Sequence, residues 1–409
     1  INNGNGTFEE KAEAYGLADE GYSMQALFLD IDNDNDLDLY LTNRPDEFYL
    51  PLSVMEERAK SGPDCGSDRL YRNDDGQFVD ISREAGIINY GYSLGLAAAD
   101  FNNDNLIDIF VSNDFATVDH MYINQGDGIF KDHLQSAINH ISLFSMGTDV
   151  GDINNDGLED IIVMEIRPED YVRSKVSMPP MNIKGFHAIV DAGMHKQYMH
   201  NMLHLNRGKG IFSEVAQFAG IAKTDWSWAG LFGDFDQDGN RDLYITNGMR
   251  RDLFDGDAQK RLSDYVAQNQ AAFQDTVMLF GEGFQGILET YKPLKLKNYV
   301  FQGNEDISFA KINSSSSTPS ISNGSALVDL DNDGDLDILV NNMEDAAFVL
   351  ENTSTSENNW TKIKLEDPEK NKVGLGAKVW AYTGEQTHFF QQKIIRGYLS
   401  SSDDHIFFG

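Results

Sequence analysis

Five stretches of this chain place oxygen-bearing side chains at the spacing a hard cation needs. Each is nine residues long, with Asp or Asn at positions 1, 3, 5 and 9. Loop one (residues 30–38) holds Asp30, Asp32, Asp34 and Asp38 there, with Asp36 at position 7. Loop two (100–108) holds Asp100, Asn102, Asp104 and Asp108, with Leu106 at position 7. Loop three (152–160) holds Asp152, Asn154, Asp156 and Asp160, with Leu158. Loop four (234–242) holds Asp234, Asp236, Asp238 and Asp242, with Asn240. Loop five (329–337) holds Asp329, Asp331, Asp333 and Asp337, with Asp335. Asp and Glu fill 21 of these 45 positions. Carboxylates on alternate residues of a tight loop suit Ca²⁺, which takes roughly 6–8 oxygens at about 2.3–2.6 Å.

The variable positions agree with that chemistry. Position 6 is Asn35, Asn105, Gly157, Gly239 or Gly334, residue types that tolerate a left-handed backbone and let the loop fold its carboxylates inward. Position 7 changes freely, as it can if only its carbonyl is a ligand. An EF-hand loop uses the same logic over about twelve residues between helices; these loops are shorter and join strands. Asx-rich turns could adopt a similar path without metal. Crowded carboxylates repel, however, unless a cation lies among them. In loops two and three the neutral Asn102 and Asn154 lower the available charge. Mg²⁺ fits less well, because it demands octahedral geometry and keeps its water. About five Ca²⁺ ions are expected.

The loops start 70, 52, 82 and 95 residues apart, so a constant unit carries variable insertions. An apolar segment precedes each loop, and LYLTN, IFVSN, IIVME, LYITN or ILVNN follows it. A hairpin-like element comes next: LYRNDDGQFVDI from Leu70, MYINQGDGIFKD from Met121, LHLNRGKGIFSEV from Leu203 and YVFQGNEDISFAKI from Tyr299. Two alternating runs flanking a Gly/Asn/Asp turn read as two strands. Four strands per repeat is the pattern of a β-propeller blade. The expected fold class is therefore all-β: a propeller of four-stranded blades with helical insertions and a small C-terminal β domain.

These motifs resemble FG-GAP/VCBS repeats, the calcium-binding blades of integrin-α-type propellers. The tail VGLGAKVWAYTGEQTHFFQQKIIRGYLSSSDDHIFFG (373–409) is similar to an ASPIC/UnbV domain. Together with TDWSWAGLFGDFDQDG and SNGSALVDLDNDGDLDILVNN, it resembles cartilage-acidic-protein-like chains, especially large Bacteroidota surface members. The resemblance implies a complete ring of seven blades, two of them upstream of Ile1, and a tail that continues past Gly409. It divides the chain into residues 1–22 (the end of a preceding blade), 23–367 (the calcium-loop blades) and 368–409 (a truncated ASPIC/UnbV-like domain).

Strand order places the long insertions, residues 44–68, 167–201 and 249–297, at the end opposite the calcium loops. Function concentrates in such loops on rigid scaffolds, so a protein or glycan ligand is expected on that face. Simple capping of the channel is the bland alternative. In the third insertion Leu262, Val266, Phe273, Val277, Phe280, Leu288 and Tyr291 recur at near-helical spacing. Trp226 and Trp228 are expected to pack between blades rather than stack on a sugar. His187, His195, His200 and His204 lie in or near the second insertion. His200 and His204 stand four apart, but no HExxH glutamate accompanies them and His204 falls in a strand, so no transition-metal site is expected. The single cysteine, Cys65, has no partner and is not expected to be a nucleophile.

The 409 residues carry 32 Lys+Arg against 66 Asp+Glu, a net charge of −34. That balance argues against nucleic acid and anionic lipid as partners. Hydrophobic residues at 41% argue against disorder. Five Ca²⁺ would raise the charge from −34 to −24. No apolar run reaches the roughly 18 residues of a spanning helix. The expectation is a non-catalytic, calcium-binding module for protein or glycan at the cell surface or outside the cell. Two alternatives stand: an accessory subunit of an outer-membrane nutrient-uptake complex, and a polysaccharide-active propeller enzyme with paired carboxylates.

Overall fold

The computed structural model describes residues 1–46, 54, 57–58, 60, 62, 64–115, 117–177, 182–268, 291–312, 318–354, 358–368, 370–384 and 386–409. Each acidic loop joins two antiparallel strands. Blade one is β1 (Tyr22–Leu29), β2 (Asp38–Arg44), β3 (Arg69–Asp74) and β4 (Gln77–Asp80), paired in that order. Blade two repeats it with β5 (Tyr92–Ala99), β6 (Asp108–Asp114), β7 (His120–Asn124) and β8 (Phe130–Asp132). A short strand β9 (Ile141–Ser142) leads to blade three, which is β10 (Thr148–Gly151), β11 (Asp160–Val163), β14 (Met202–Asn206) and β15 (Phe212–Glu214). Its insertion carries β12 (Ile166–Arg167), β13 (Gln197–Tyr198) and helices Tyr171–Ser177 and Ile183–Asp191. Blade four is β16 (Asp225–Gly233), β17 (Asp242–Asn247), β18 (Tyr299–Gly303) and β19 (Phe309–Ile312), extended at its inner edge by β12. Blade five is β20 (Ser322–Val328), β21 (Asp337–Asn342) and β22 (Phe348–Leu350) among the described residues.

Strand one of each blade touches strand one of the next, so these strands line the inside of a propeller. Both faces of blades two, three and four pack on neighbours, which is why their strands read as near-continuous apolar runs. Leu29, Tyr40, Leu96 and Val111 form one such seam, between blades one and two. Trp226 and Trp228 lie in the seam between blades three and four, 4% and 8% exposed, as core residues. In four blades the pairing of strands one and two slips near the start, for example between Ser93 and Gly95. Such bulges raise local twist. A Cβ on Gly95 would lie 2.3 Å from Ser112 Oγ and 2.7 Å from Met146 O, so only glycine fits there.

Residues 1–16 repeat the hairpin and one-turn helix that end blades one to three. Asn2 bridges Phe8, and helix Ala12–Tyr15 stops at Gly16 (φ 80°), as Ser82–Ala85 stops at Gly86. In the third insertion, helix Gly256–Gln268 contains Leu262 and Val266, both half-buried. Phe273, Val277, Phe280 and Leu288 lie outside the described residues.

The C-terminal region packs against the blades. Two small antiparallel sheets, β23 (Thr361–Lys364) with β26 (His405–Phe408) and β24 (Lys378–Thr383) with β25 (Gln386–Gln391), lie against the loop side of the blades. The segment after β25 runs along the inner strands. Gly397 exchanges backbone hydrogen bonds with Thr148, and Asp403 N–H donates to Leu327 O. Arg396 grips Asp149 through Nε (2.9 Å) and Nη2 (2.6 Å), with both side chains buried. Lys393 meets Glu159 at 2.9 Å, also buried.

Deleting one partner of a buried ion pair strands the other and typically costs about 3–5 kcal/mol. Arg396→Ala is expected to destabilise the chain by that order in a denaturant titration, with Asp149 left unneutralised beside blade four.

Candidate metal centre

Backbone geometry explains why every loop closes the same way. Position 6 is left-handed in all five (Asn35 69°, Asn105 69°, Gly157 80°, Gly239 85°, Gly334 98°). Position 4 is left-handed as well: Asn33, Asn103, Asn155, Gln237 and Asn332 lie at φ 55–61°. These two turns aim the intervening carboxylates at one point. Side chains then cap the turns. The amide of position 7 donates to the position-5 carboxylate at 2.8–3.2 Å throughout, as in Leu106 to Asp104. In loops one to four the amide of position 6 donates to the position-1 carboxylate, as in Gly239 to Asp234 at 3.0 Å.

Position 9 has a role beyond that of a ligand. In all five loops one of its oxygens accepts the amide of position 2 and the other accepts an amide of strand three or the turn just after it. Asp38 takes Ile31 (2.9 Å) and Asn73 (2.8 Å). Asp108 takes Phe101 and Asn124; Asp160 takes Ile153 and Asn206; Asp242 takes Phe235 and Gly303; Asp337 takes Leu330 and Asn352. Burial pushes three of these carboxyls up, to about 7 for Asp38 and Asp242 and about 8 for Asp108, against the pull of the amides.

The asparagines at the end of strand three were not singled out by sequence, although YRN, YIN and HLN repeat visibly. Asn124 Nδ2 donates to Ile107 O in its own loop and to Ile31 O in the loop of the preceding blade. Asn206 and Asn352 reach back the same way, to Phe101 O and Phe235 O. Loop one is thus tied to loop two, loop two to loop three and loop four to loop five, and Asn155 Nδ2, donating to Gly239 O at 3.1 Å, joins loop three to loop four.

The donor sets fit a hard cation. Oxygens of Asp30, Asp32 and Asp38 lie within 4.8 Å of one another, as do those of Asp234, Asp236 and Asp242, and of Asp329, Asp331 and Asp333. Several buried carboxylate oxygens of the loops accept no hydrogen bond: Oδ1 of Asp30, Asp32, Asp36, Asp236, Asp329 and Asp335. A buried carboxylate oxygen without a donor is costly unless a cation faces it. Loops two and three differ. Asn102 Nδ2 donates to Asp104 Oδ2 (2.8 Å) and Asn154 Nδ2 to Asp156 Oδ2 (3.0 Å), so a carboxylate oxygen at position 5 is engaged, while Asn154 Oδ1 is buried without a partner. Among the described residues these loops form no carboxylate triad of that kind.

Three lysines of the C-terminal region enter the loops, and no sequence signal marked them. Lys378 Nζ lies 2.6 Å from Asp100 Oδ2 and also meets Asn103 and Asn105. Lys370 meets Asp36 at 2.9 Å and Lys362 meets Asp329 at 3.1 Å. Asn35 donates to Asp367, and Gln391 Oε1 accepts the Asp100 amide.

The histidines of the second insertion lie on other elements. His187 is on helix Ile183–Asp191, and His195 Nε2 sits 2.9 Å from Ile138 O. Cys65 is exposed.

Acidic turn, four-stranded blade and C-terminal β region together define a propeller of acidic-loop repeats. The FG-GAP-like repeat profile matches residues 59–111, 100–163 and 190–245, and the ASPIC and UnbV profile matches 367–409. The chain is an FG-GAP-repeat β-propeller with a C-terminal ASPIC/UnbV region. No curated protein matches it. Similar solved structures include a lectin of Agrocybe aegerita, described as recognising non-reducing terminal N-acetylglucosamine, at 13% identity and TM-score 0.29 over 85% of this chain and 84% of that one. Another is the V. cholerae biofilm matrix protein Bap1, at 11% identity and TM-score 0.36, over 80% of this chain and 36% of that one.

An ion bound to the folded state alone stabilises it by about 2.7 kcal/mol at a hundredfold its Kd. Adding EGTA to a calcium-loaded sample is expected to lower the melting temperature by several degrees in calorimetry. Asn124→Ala unpairs two buried carbonyls and is expected to cost about 1–3 kcal/mol in urea unfolding with calcium held constant.

Proposed function

We propose that the chain is a calcium-stabilised, non-catalytic recognition module that works outside the cytoplasm, with its ligand surface on the insertion side. The observation that carries this reading is the division of labour between the two ends of the blades. The loop end is filled with prospective calcium ligands and covered by β23–β26, whose lysines and amides occupy the loop surface. The opposite end carries the insertions, and the second presents apolar side chains to solvent: Tyr171 at 73%, Val172 at 67% and Ile183 at 62% exposed.

Calcium at short, open loops generally binds at about 10⁻⁴–10⁻³ M, which suits the extracellular concentration. The ions would be held by the carboxylates and position-7 carbonyls of the five loops, where they neutralise charge and lock the turns. Protein or glycan is the ligand class that fits exposed aromatic and aliphatic side chains on an acidic protein. Among the described residues no helix is long and apolar enough to cross a membrane.

The buried acids outside the loops have structural partners, which supports a non-catalytic role. Asp68 accepts from Asn43 N–H, Tyr40 Oη and Asn89 Nδ2. Glu165 accepts from Ser142 Oγ and from the amides of Leu143, Phe144 and Ile166.

The test is a glycan and surface-protein array probed in calcium and in EGTA. Binding in calcium, its loss in EGTA, its weakening by Tyr171→Ala and the absence of new reducing ends are the expected results. Release of reducing ends from any bound glycan would overturn the non-catalytic reading.

A further inference from the structure

A second, chemically different metal cluster lies on blade three, far along the strands from loop three. One ligand atom each of His140, His200 and Glu214 falls within 4.8 Å of the other two. Sequence spacing pairs His200 with His204; the fold pairs it instead with residues sixty positions upstream and fourteen downstream. The link is the return of the insertion. Strand β13 pairs in parallel with β9, Tyr198 opposite Ser142, and Ile141 N–H donates to Lys196 O. That contact sets His140 beside His200. Strand β15 then brings in Glu214, the last residue of the blade.

Comparison with the other blades shows that Glu214 has lost its ordinary partner. The acid at this place caps the following one-turn helix in three blades: Asp80 accepts from Ser82, Asp132 from Leu134 and Glu214 from Ala216. In blades one and two a basic residue at the start of strand three pairs with it, Arg69 at 3.5 Å from Asp80 and His120 at 2.8 Å from Asp132. The corresponding residue of blade three is Met202, which carries no charge. Glu214 Oε2 instead faces His140 Nε2 at 3.5 Å. That separation is long for a charged hydrogen bond. It is close to the edge of a tetrahedral shell, about 3.3–3.5 Å for ligands about 2.0–2.2 Å from zinc.

The surroundings suit a ligand set. His200 Nδ1 lies 2.7 Å from Asn201 O. A ring that donates Nδ1–H to a backbone carbonyl presents the lone pair of Nε2, the arrangement that orients most metal-bound histidines. His204 pairs directly across the strands with Glu214 and is fully buried, with neither ring nitrogen bonded. His140 is one-quarter exposed, which leaves an open side for water or a fourth ligand.

We propose that His140, His200 and Glu214 bind one transition-metal ion of the Zn²⁺ class, with an open coordination position, on the insertion side of blade three. Two imidazoles and a carboxylate match the ligand chemistry of zinc, not that of calcium. The inference is independent of whether the acidic loops hold calcium.

The test uses the full chain in saturating calcium, titrated with Co²⁺ and followed by its visible d–d absorption, with Zn²⁺ as competitor. The expected result is one Co²⁺ per chain, displaced by Zn²⁺, with affinity at least about tenfold weaker in both His140→Ala and Glu214→Gln. His140→Ala removes a partly exposed side chain, and Glu214→Gln keeps the helix-capping oxygen, so two independent variants guard against misfolding. A control variant, Cys65→Ser at an exposed position, is expected to bind Co²⁺ as the parent does. Absence of a Co²⁺ band, or unchanged Co²⁺ affinity in His140→Ala and Glu214→Gln, would overturn the proposal.

Discussion

The bond on which the rest of the structure depends is that from the ninth-position aspartate to two backbone amides. One amide belongs to the turn that precedes the aspartate; the other belongs to the far end of strand three. A single carboxylate therefore sets the loop, its exit strand and the next strand in fixed register. Burying a carboxylate is unfavourable in itself, and two charge-assisted hydrogen bonds offset part of the cost. The same constraint places the remaining loop oxygens around an enclosed point, which is what makes a divalent ion the natural complement.

The opposite ends of the blades use a related device with different residues. At the close of strand two, or just beyond it, the backbone amide donates to a buried side chain that precedes strand three. The pairs are Asn43 with Asp68, Asn113 with Asp119, Glu165 with Asn201 and Asn247 with Asn298. Asp68 and Asp119 are pushed up to about 6 and about 7 by burial. Each blade is thus an apolar plate pinned by polar groups at both rims. A large part of the chain's acidity serves this framing rather than solubility.

The repeated parts of this arrangement were legible in sequence because period and residue type coincide. Alternating apolar runs, Gly or Asn at the sixth loop position and Asp at the ninth each obey a local rule, so blades and loops follow without tertiary information. The left-handed fourth position was less visible, since Gln237 stands there in loop four beside four asparagines. Lys362, Lys370 and Lys378 were not legible at all. They reach loops 33 to 334 residues away, and nothing near them in the chain encodes that contact. The cluster of His140, His200 and Glu214 failed to show for the same reason. Its spacing is set by a two-residue parallel pairing, too short to have a pattern. Trp226 and Trp228, which flank Ser227, were read as packing between blades, and both are buried there.

The strap formed by residues 391–403 has a consequence for how the protein is made. Its partners on β10, β16 and β20 leave the ribosome well before it does, so the inner wall of the growing propeller lacks Arg396 and Lys393 throughout blade synthesis. Until the strap docks, Asp149 and Glu159 lack these cationic partners, which lie 247 and 234 residues away in sequence. Contacts of such sequence separation form slowly and commit the chain late. Once in place, the strap resists release from either rim, since withdrawing it exposes two charges at once.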